Sequence, residues 1–166
     1  MRRLPLYAAI LLAPAFLLVG ACQKAPSGQP PVTEAQAAKI AEAAEANFTT
    51  GDLNKIMAQY ADGAVMIDAA STDPSSDRKV QTGWAKTFVS MTPADYRVPN
   101  RHIQLLGGDA FISSGIETFT VAAGAARPTV SARFTDVFQR QKDGSWKIVN
   151  EHVSMPPTPA GAPAQP

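Results

Sequence analysis

Few side chains in this sequence could carry acid–base chemistry, and His152 and Glu117 stand out among them. An imidazole changes its charge near neutral pH, so His152 is a candidate general base; the alternative is a structural histidine bonded to a neighbouring backbone or hydroxyl group. Glu117 lies between Ile116 and Thr118 in a predicted strand, where a carboxylate needs water or a partner. Arg133 on the next predicted strand is the natural partner. The pair is either a polar cavity floor with Glu117 as a base, or an exposed ion pair across two strands.

The composition argues against several other kinds of site. Cys22 is the single cysteine, so no disulfide can form within one chain, and its modification leaves no thiolate. His102 and His152 are the two histidines, and they lack the short spacing of paired metal ligands. The net charge is +1 and no basic run is present, which makes nucleic acid an unsuitable partner. We therefore expect no metal, no cofactor and no nucleic acid.

The first 22 residues have the pattern of a secretory signal. Arg2 and Arg3 are followed by an apolar run from Leu4 to Leu18, and the small residues Gly20 and Ala21 precede Cys22. Small residues directly before a lone cysteine resemble the lipobox of bacterial lipoproteins. The resemblance implies cleavage before Cys22, lipid attachment to its sulfur and new N-terminus, and a place on a membrane of the cell envelope.

A transmembrane anchor and a plain secreted protein are the alternatives to a lipoprotein. Pro5 and Pro14 interrupt the apolar run, which is about as short as a spanning helix can be. Gln23 follows the cysteine, whereas the lipoproteins that this start resembles usually carry Asp there when they remain in the inner membrane. In a Gram-negative cell Gln23 favours the outer membrane, with the protein facing the periplasm.

Composition also divides the chain into four segments. Residues 1–21 form the signal peptide, and residues 22–32 hold the lipidated Cys22 and a Pro-rich tether that we expect to be flexible. Residues 33–155 carry the periodic apolar pattern and are long enough to bury one core without disulfides. Residues 156–166 are rich in Pro and Ala, lack the apolar content to pack, and are predicted to be disordered.

Helices come first in the predicted order of elements, and strands follow. A capping box at Thr33 and Gln36 predicts the start of the first helix. Asp52 caps a second helix, whose apolar stripe ends at Tyr60, and a third helix opens at Gly83 after a brief strand near 79–81. Strands are predicted at 64–69, 96–106, 110–122, 129–140 and 146–153. This order predicts an α+β fold with the helices on one face of a curved, mainly antiparallel sheet.

The order of elements resembles the NTF2-like superfamily, which includes SnoaL-like and ketosteroid-isomerase-like domains. The run Y-A-D-G-A-V at 60–65 resembles the family's junction after the second helix, and D-G-S-W-K-I-V-N-E-H-V-S at 143–154 resembles its last hairpin. H-I-Q-L-L-G at 102–107 resembles a strand of calmodulin-dependent kinase association domains. The resemblance covers nearly all of 34–155 and implies a cone of about three helices on the sheet, with a cavity between them.

Period-two alternation assigns the last strand's side chains to the two faces of this sheet. The cavity face is predicted to hold Trp146, Ile148, Asn150 and His152. Val149 and Val153 then point to the outer face, through which NTF2-like domains commonly dimerise, so we expect a homodimer there. Arg133 and Asp136 lie on opposite faces of their strand, so we expect one of the two to line the cavity.

The fold does not decide the function, because it hosts enzymes, binding modules and oligomerisation domains. The leading hypothesis is a membrane-tethered module that binds a small hydrophobic or mildly polar ligand, or an envelope protein. Its candidate ligand-binding residues are Tyr60, Trp84, Arg133 and Asn150, although both aromatics could also be core residues. The alternative is a cofactor-free acid–base enzyme, isomerase-, cyclase- or hydratase-like, that uses His152 or Glu117; a carboxyl group with a strongly shifted pKa in a closed cavity would favour it. A third is an assembly domain with a filled cavity.

Overall fold

A computed structural model describes residues 28–157, so the predicted signal peptide, the Cys22 lipidation site and residues 158–166 of the tail lie outside the described residues. The helices are α1 (Glu34–Glu45), α2 (Leu53–Met57) and α3 (Arg78–Ser90), with a 3-10 turn at Ala46–Thr49 after α1. The strands are β1 (Tyr60–Ile67), β2 (Ala94–Arg97), β3 (His102–Leu105), β4 (Ala110–Thr120), β5 (Thr129–Arg140) and β6 (Trp146–Ser154). The predicted α+β fold is confirmed.

The first two helices begin where their capping residues predict. The Thr33 hydroxyl accepts a hydrogen bond from the Gln36 backbone N–H at 3.3 Å, and the Gln36 side-chain oxygen accepts one from the Thr33 N–H at 2.9 Å. This reciprocal pair confirms the capping box. The Asp52 carboxylate caps α2 by accepting from the N–H groups of Asn54 and Lys55.

The third helix and Tyr60 lie differently from the prediction. The Asp77 carboxylate accepts from the Lys79 N–H at 2.7 Å, so α3 starts at Arg78 and the predicted start at Gly83 is wrong. The brief strand near 79–81 is absent from the described structure because this cap extends the helix over it. Helix α2 ends at Met57, and Tyr60 opens β1 instead of closing a helix.

The six strands form one mixed sheet in the order β1-β6-β5-β4-β2, and β3 also pairs with β4. Strand β1 runs parallel to β6, while the other pairs are antiparallel. The single strand predicted over 96–106 is two short strands, β2 and β3, which pair with separate stretches of β4. Pro99 lies in the break and has no N–H to donate to a ladder. The neighbouring Asn100 side chain instead accepts from the Ile116 N–H at 3.1 Å.

The core lies between the helices and the concave face of the sheet. Fully buried residues from both layers meet there, including Ala37, Ala41, Ile56, Phe111 and Ile148. In residues 28–157 no helix is long and apolar enough to cross a membrane.

The last residues of the predicted tether pack against the domain. Val32 is buried with the core, and its N–H donates to the Gly108 carbonyl at 3.1 Å. Arg140 donates to the Pro30 carbonyl at 2.9 Å and also bonds the Gln29 side chain. We call residues 29–32 the strap. The prediction of a flexible tether over 22–32 is therefore wrong for the strap, because Val32 supplies apolar surface that composition alone understated.

Candidate functional site

A β-bulge in β6 decides which side chains of that strand reach the concave face. Phe138 of β5 is paired with Ile148, but its neighbour Val137 is paired with Asn150, so Val149 is an extra residue in β6. An extra residue reverses the alternation of inward and outward side chains beyond it. From Asn150 onward, the faces are therefore the opposite of those that strict alternation predicts.

The bulge corrects four predictions about β6. Glu151 is 3% exposed and lines the cavity together with Val153, whereas His152 is exposed. Asn150 and His152 stand opposite Val137 and Thr135 on the outer face, so their predicted place in the cavity is wrong. Val153 is likewise absent from the outer face on which a dimer contact was predicted.

Three carboxyl groups from three adjacent strands line one cavity. Glu117 of β4, Asp136 of β5 and Glu151 of β6 are 9%, 7% and 3% exposed. Each shares the concave face with apolar core residues of its own strand, as Asp136 does with Phe134 and Phe138, which are two residues away on either side. Charged side chains are rarely buried to this degree without a partner.

Two tyrosines donate hydrogen bonds to two of these carboxyl groups. The Tyr60 hydroxyl donates to Glu151 Oε2 at 2.6 Å, and the Tyr96 hydroxyl donates to Glu117 Oε2. Burial, and next the adjacent carboxylate, raise the pKa of each tyrosine well above its usual value. Both hydroxyl groups therefore stay protonated and act as donors near neutral pH.

The cavity has polar oxygens left over. Asp136 Oδ1 and Glu151 Oε1 are buried and have no hydrogen-bond partner within residues 28–157. The predicted partner of Glu117 does not supply a charge, because Arg133 is on the outer face and donates to the Met155 carbonyl at 2.9 Å. Glu117 is instead opposite Ala132 in the sheet, so the predicted Glu117–Arg133 pair is wrong.

Arg101, which is partly buried, is bonded to groups outside the cavity. Arg101 makes a two-bond ion pair with Glu45 at 2.5 and 2.6 Å and donates to the Ser113 hydroxyl at 2.9 Å. Its charge lowers the pKa of Asp136 only as the smallest of several influences. These bonds connect α1 to β4 through Arg101. In the described part of the chain, no cation is bonded to the cavity carboxyl groups.

Aromatic rings form most of the remaining cavity wall. The aromatic residues that line it are Phe48, Trp84, Phe88, Tyr96 and Phe134. Trp84 and Phe88 are stacked with centroids 5.6 Å apart, and Phe48 meets Phe88 edge-on at 5.7 Å. The volume open to the centre of a water-sized molecule is about 30 Å³. That volume holds one or two waters, so a ligand can place only a small group there unless side chains move.

Burial keeps these acids protonated to higher pH than usual. Burial raises the pKa of Glu151 from 4.5 to about 8, against the lowering effect of the Tyr60 hydrogen bond. Burial, followed by the Glu151 charge, raises the pKa of Asp136 well above its usual value. Burial also raises the pKa of Glu117, although the Tyr96 hydrogen bond opposes it. The cavity is thus a cluster of carboxyl groups that keep their protons to higher pH than exposed carboxyl groups do.

The structure brings together part of the predicted site. Glu117 and Trp84 line the cavity, and Tyr60 bonds Glu151 just beside it. Arg133, Asn150 and His152 are not brought to the cavity. Asp136 fulfils the expectation that one of Asp136 and Arg133 would line it.

Sequence reasoning missed Tyr96 and Glu151, and of Arg133 and Asp136 it named Arg133 and not Asp136 as the candidate ligand-binding residue. The spacing of Asp136 between Phe134 and Phe138 could have identified it, because residues two apart share a face. Glu151 could not have been found this way, since a single-residue bulge leaves no clear signal in the sequence.

The family model for the SnoaL-like domain matches residues 37–158. The chain therefore belongs to the SnoaL-like domain family. This family and its NTF2-like relatives include ligand-binding members as well as isomerase-, cyclase- and hydratase-like ones. No curated protein sequence matches the chain.

Solved structures show the same NTF2-like fold. A protein from Xanthomonas campestris, provisionally assigned as a calcium/calmodulin dependent protein kinase II association domain, is 27% identical, with a TM-score of 0.69 over 76% of this chain and 90% of that one. An NTF2-like protein of unknown function from Pseudomonas putida is 20% identical, with a TM-score of 0.62 over 74% and 86%. A provisionally assigned dehydratase of the NTF2-like family from Streptomyces avermitilis is 18% identical, with a TM-score of 0.63 over 75% and 96%.

Proposed function

We propose that this protein is a lipid-anchored module of the cell envelope whose cone cavity binds a small ligand through its carboxyl groups. One observation carries the proposal: Asp136 Oδ1 and Glu151 Oε1 are buried in an aromatic-lined cavity without a partner in the described structure. A buried polar atom without a hydrogen bond costs about 1–3 kcal/mol. A ligand that donates hydrogen bonds to these oxygens would remove that cost, and this is the source of binding energy in the proposal.

The substitution Asp136→Leu tests this proposal, because leucine has nearly the shape of aspartate but no polar atoms. We expect it to raise the free energy of unfolding by about 1–3 kcal/mol at pH 7, since a buried polar group is replaced by an apolar one. Native mass spectrometry of the full-length protein from its own envelope should show a ligand that the variant no longer retains. A less stable variant, or one that keeps the ligand, would contradict the proposed role of Asp136.

Acid–base catalysis is the second candidate function, and the Tyr60–Glu151 pair favours it. A carboxylic acid with a pKa of about 8 is mostly protonated at pH 7 and can donate a proton or a hydrogen bond to a substrate oxygen. A buried carboxyl group with a strongly shifted pKa was expected to favour an enzyme, and Glu151 is such a group.

Glu151→Gln separates the two functions. Glutamine can still hydrogen-bond Tyr60 and a ligand, but it cannot transfer a proton. If Glu151→Gln keeps its ligand but loses a turnover that the wild type shows, the protein is an enzyme. If the variant keeps its ligand and the wild type turns over none of its retained ligands, the protein is a binding module.

Anchoring remains a proposal that rests on the N-terminal motif. Acyl chains on Cys22 would hold the protein on a membrane, since each buried CH₂ contributes about 0.8 kcal/mol and two or more chains hold firmly. Gln23 supports an outer-membrane address facing the periplasm in a Gram-negative cell.

We also propose a homodimer through the outer face of the sheet. Two features support it: the 27% identical association domain from Xanthomonas campestris, and the half-exposed apolar residues Ile112, Ile116 and Val137 on this face. The same patch is buried twice in a symmetric dimer, so one added charge acts twice. Ile116→Asp should give folded monomers in sedimentation experiments. A wild-type protein that is monomeric at micromolar concentration would exclude the dimer.

A further inference from the structure

We propose that the ligand of this cavity carries a small primary ammonium group, which is seated among Glu117, Asp136 and Glu151. The inference rests on the proposed function and specifies its ligand class. The three carboxyl groups, the aromatic wall and the small volume each support it independently, as follows.

When its acids are ionised, the charge in the cavity has one sign. Three acids line it, and no arginine or lysine within residues 28–157 donates to any of them. Two other basic side chains are also bonded outside the cavity. Lys147 donates to the Ala58 carbonyl, and Arg78 donates to the Met57 carbonyl at 2.6 Å. A bound cation would supply the missing opposite charge in surroundings where screening by water is weak.

The unpartnered atoms are all acceptors when the acids are ionised. An ammonium group has three N–H donors and no acceptor, so it can donate to the two unpartnered atoms, Asp136 Oδ1 and Glu151 Oε1, and has a third N–H for Glu117. The tyrosine hydroxyls of Tyr60 and Tyr96 already occupy the other oxygens of Glu151 and Glu117. These bonds leave one oxygen on each of those acids free to accept.

The wall of the cavity suits an organic cation more than a metal ion. The face of an aromatic ring attracts a cation, most strongly for tryptophan, and the wall includes Trp84, Phe88 and Tyr96. Among the described residues no group of three or more His, Cys, Asp or Glu side chains could hold a metal ion. The volume of about 30 Å³ admits an ammonium group with one or two carbons but not a quaternary ammonium with bulky substituents.

The experiment titrates the detergent-solubilised full-length protein at pH 8 with methylammonium, ethylammonium and butylammonium chloride. The neutral isosteres methanol, ethanol and butanol, together with tetramethylammonium and potassium chloride, are the comparison ligands. Calorimetry measures the affinity, and NMR shifts of the backbone amides locate the site. We expect saturable binding of methylammonium and ethylammonium, with shifts centred on Glu117, Asp136 and Glu151, and weaker binding of butylammonium, whose chain exceeds the volume.

Two variants and one control make the test specific. Asp136→Asn should weaken ammonium binding at least tenfold, because it removes one negative charge from a buried charge-assisted hydrogen bond. Glu117→Gln should act in the same direction and serves if Asp136→Asn does not fold. Asp62→Asn alters an exposed carboxylate of β1 and should leave the affinity unchanged.

Each outcome decides between the two proposals. If the neutral alcohols bind as tightly as the ammonium ions and shift the same amides, the ammonium inference is wrong and the ligand-binding function stands. Potassium binding more tightly than methylammonium would replace the organic cation with a metal ion and also overturn the inference. If the ammonium salts, the neutral isosteres and potassium all leave the cavity amides unshifted, the proposed function falls together with the inference.

Discussion

The strongest prediction concerns Glu151 and the dependence of stability on pH. Glu151 has a pKa of about 8 in the folded protein, whereas an unfolded glutamate titrates near 4.5. Between these values the folded state binds the proton and the unfolded state does not. Folding is therefore favoured at low pH, and stability falls as the pH rises from about 4.5 to about 8.

The size of the effect follows from the difference between the two pKa values. Each pKa unit corresponds to 1.36 kcal/mol, so the full loss above pH 8 is about 5 kcal/mol. Relative to low pH, the free energy of unfolding is lower by about 1 kcal/mol at pH 5 and by about 3 kcal/mol at pH 7. It therefore falls by about 2 kcal/mol between pH 5 and pH 7. The raised pKa values of Asp136 and Glu117 act in the same direction. Removal of the Glu151 charge therefore reduces the slope and does not abolish it.

Urea unfolding of the wild type and of Glu151→Gln at pH 5, 6, 7 and 8 measures this difference. We expect the wild-type midpoint to fall steadily, and the Glu151→Gln midpoint to fall less over the same range. Asp62→Asn, at an exposed site, should follow the wild-type curve and serves as the control. A wild-type stability that is constant or rises from pH 5 to pH 7 would refute the reasoning, and so would an unchanged slope in Glu151→Gln.

Three further changes have defined outcomes. Cys22→Ala should abolish incorporation of labelled palmitate, because the chain has no second thiol; unchanged labelling would exclude lipidation at this residue. Gly115→Ala should lower the free energy of unfolding by about 1–3 kcal/mol, since a methyl group there would lie 2.6 Å from the Asn100 carbonyl oxygen; a thermal melt with no shift would contradict the close packing. His152→Ala should change the unfolding free energy by less than about 0.5 kcal/mol, because the side chain is exposed; a loss above 1 kcal/mol would show a contact of His152 that the fold does not provide.

Much of the fold could be predicted from the sequence because its signals are local. The capping residues Thr33 and Asp52 place two helices, and the apolar alternation of β4 and β5 places those strands almost to the residue. The start of α3 was missed because Asp77 was not recognised as its N-cap, so the helix was predicted to begin at Gly83. Local signals therefore serve well where a single residue type fixes the backbone.

The candidate site was predicted only in part, because it depends on the register between strands. Glu117 was found because a carboxylate in a strand needs a partner, but its partner proved to be Tyr96 and not Arg133. Because of the bulge at Val149, Glu151 lies at the cavity in place of the predicted His152. A shift of one residue depends on pairing with a distant strand, and the order of amino acids along β6 does not reveal it.

In a lipid-anchored protein the strap would set how far the domain can move from the membrane. If Cys22 carries lipid, six residues separate it from Gln29, and these seven steps along the chain reach at most about 25 Å. Glu151 is five residues beyond Trp146 along β6, about 17 Å from the end at which the strap docks. The lipid would thus hold the strap within about 25 Å of the bilayer, with Glu151 further along β6 from that end. Loss of the Arg140 contacts would lengthen the free segment to Val32, which stays bonded to Gly108, and allow a reach of about 36 Å. In that case Arg140, at the end of β5, would determine how far from its anchor the cavity can reach neighbours on the same membrane.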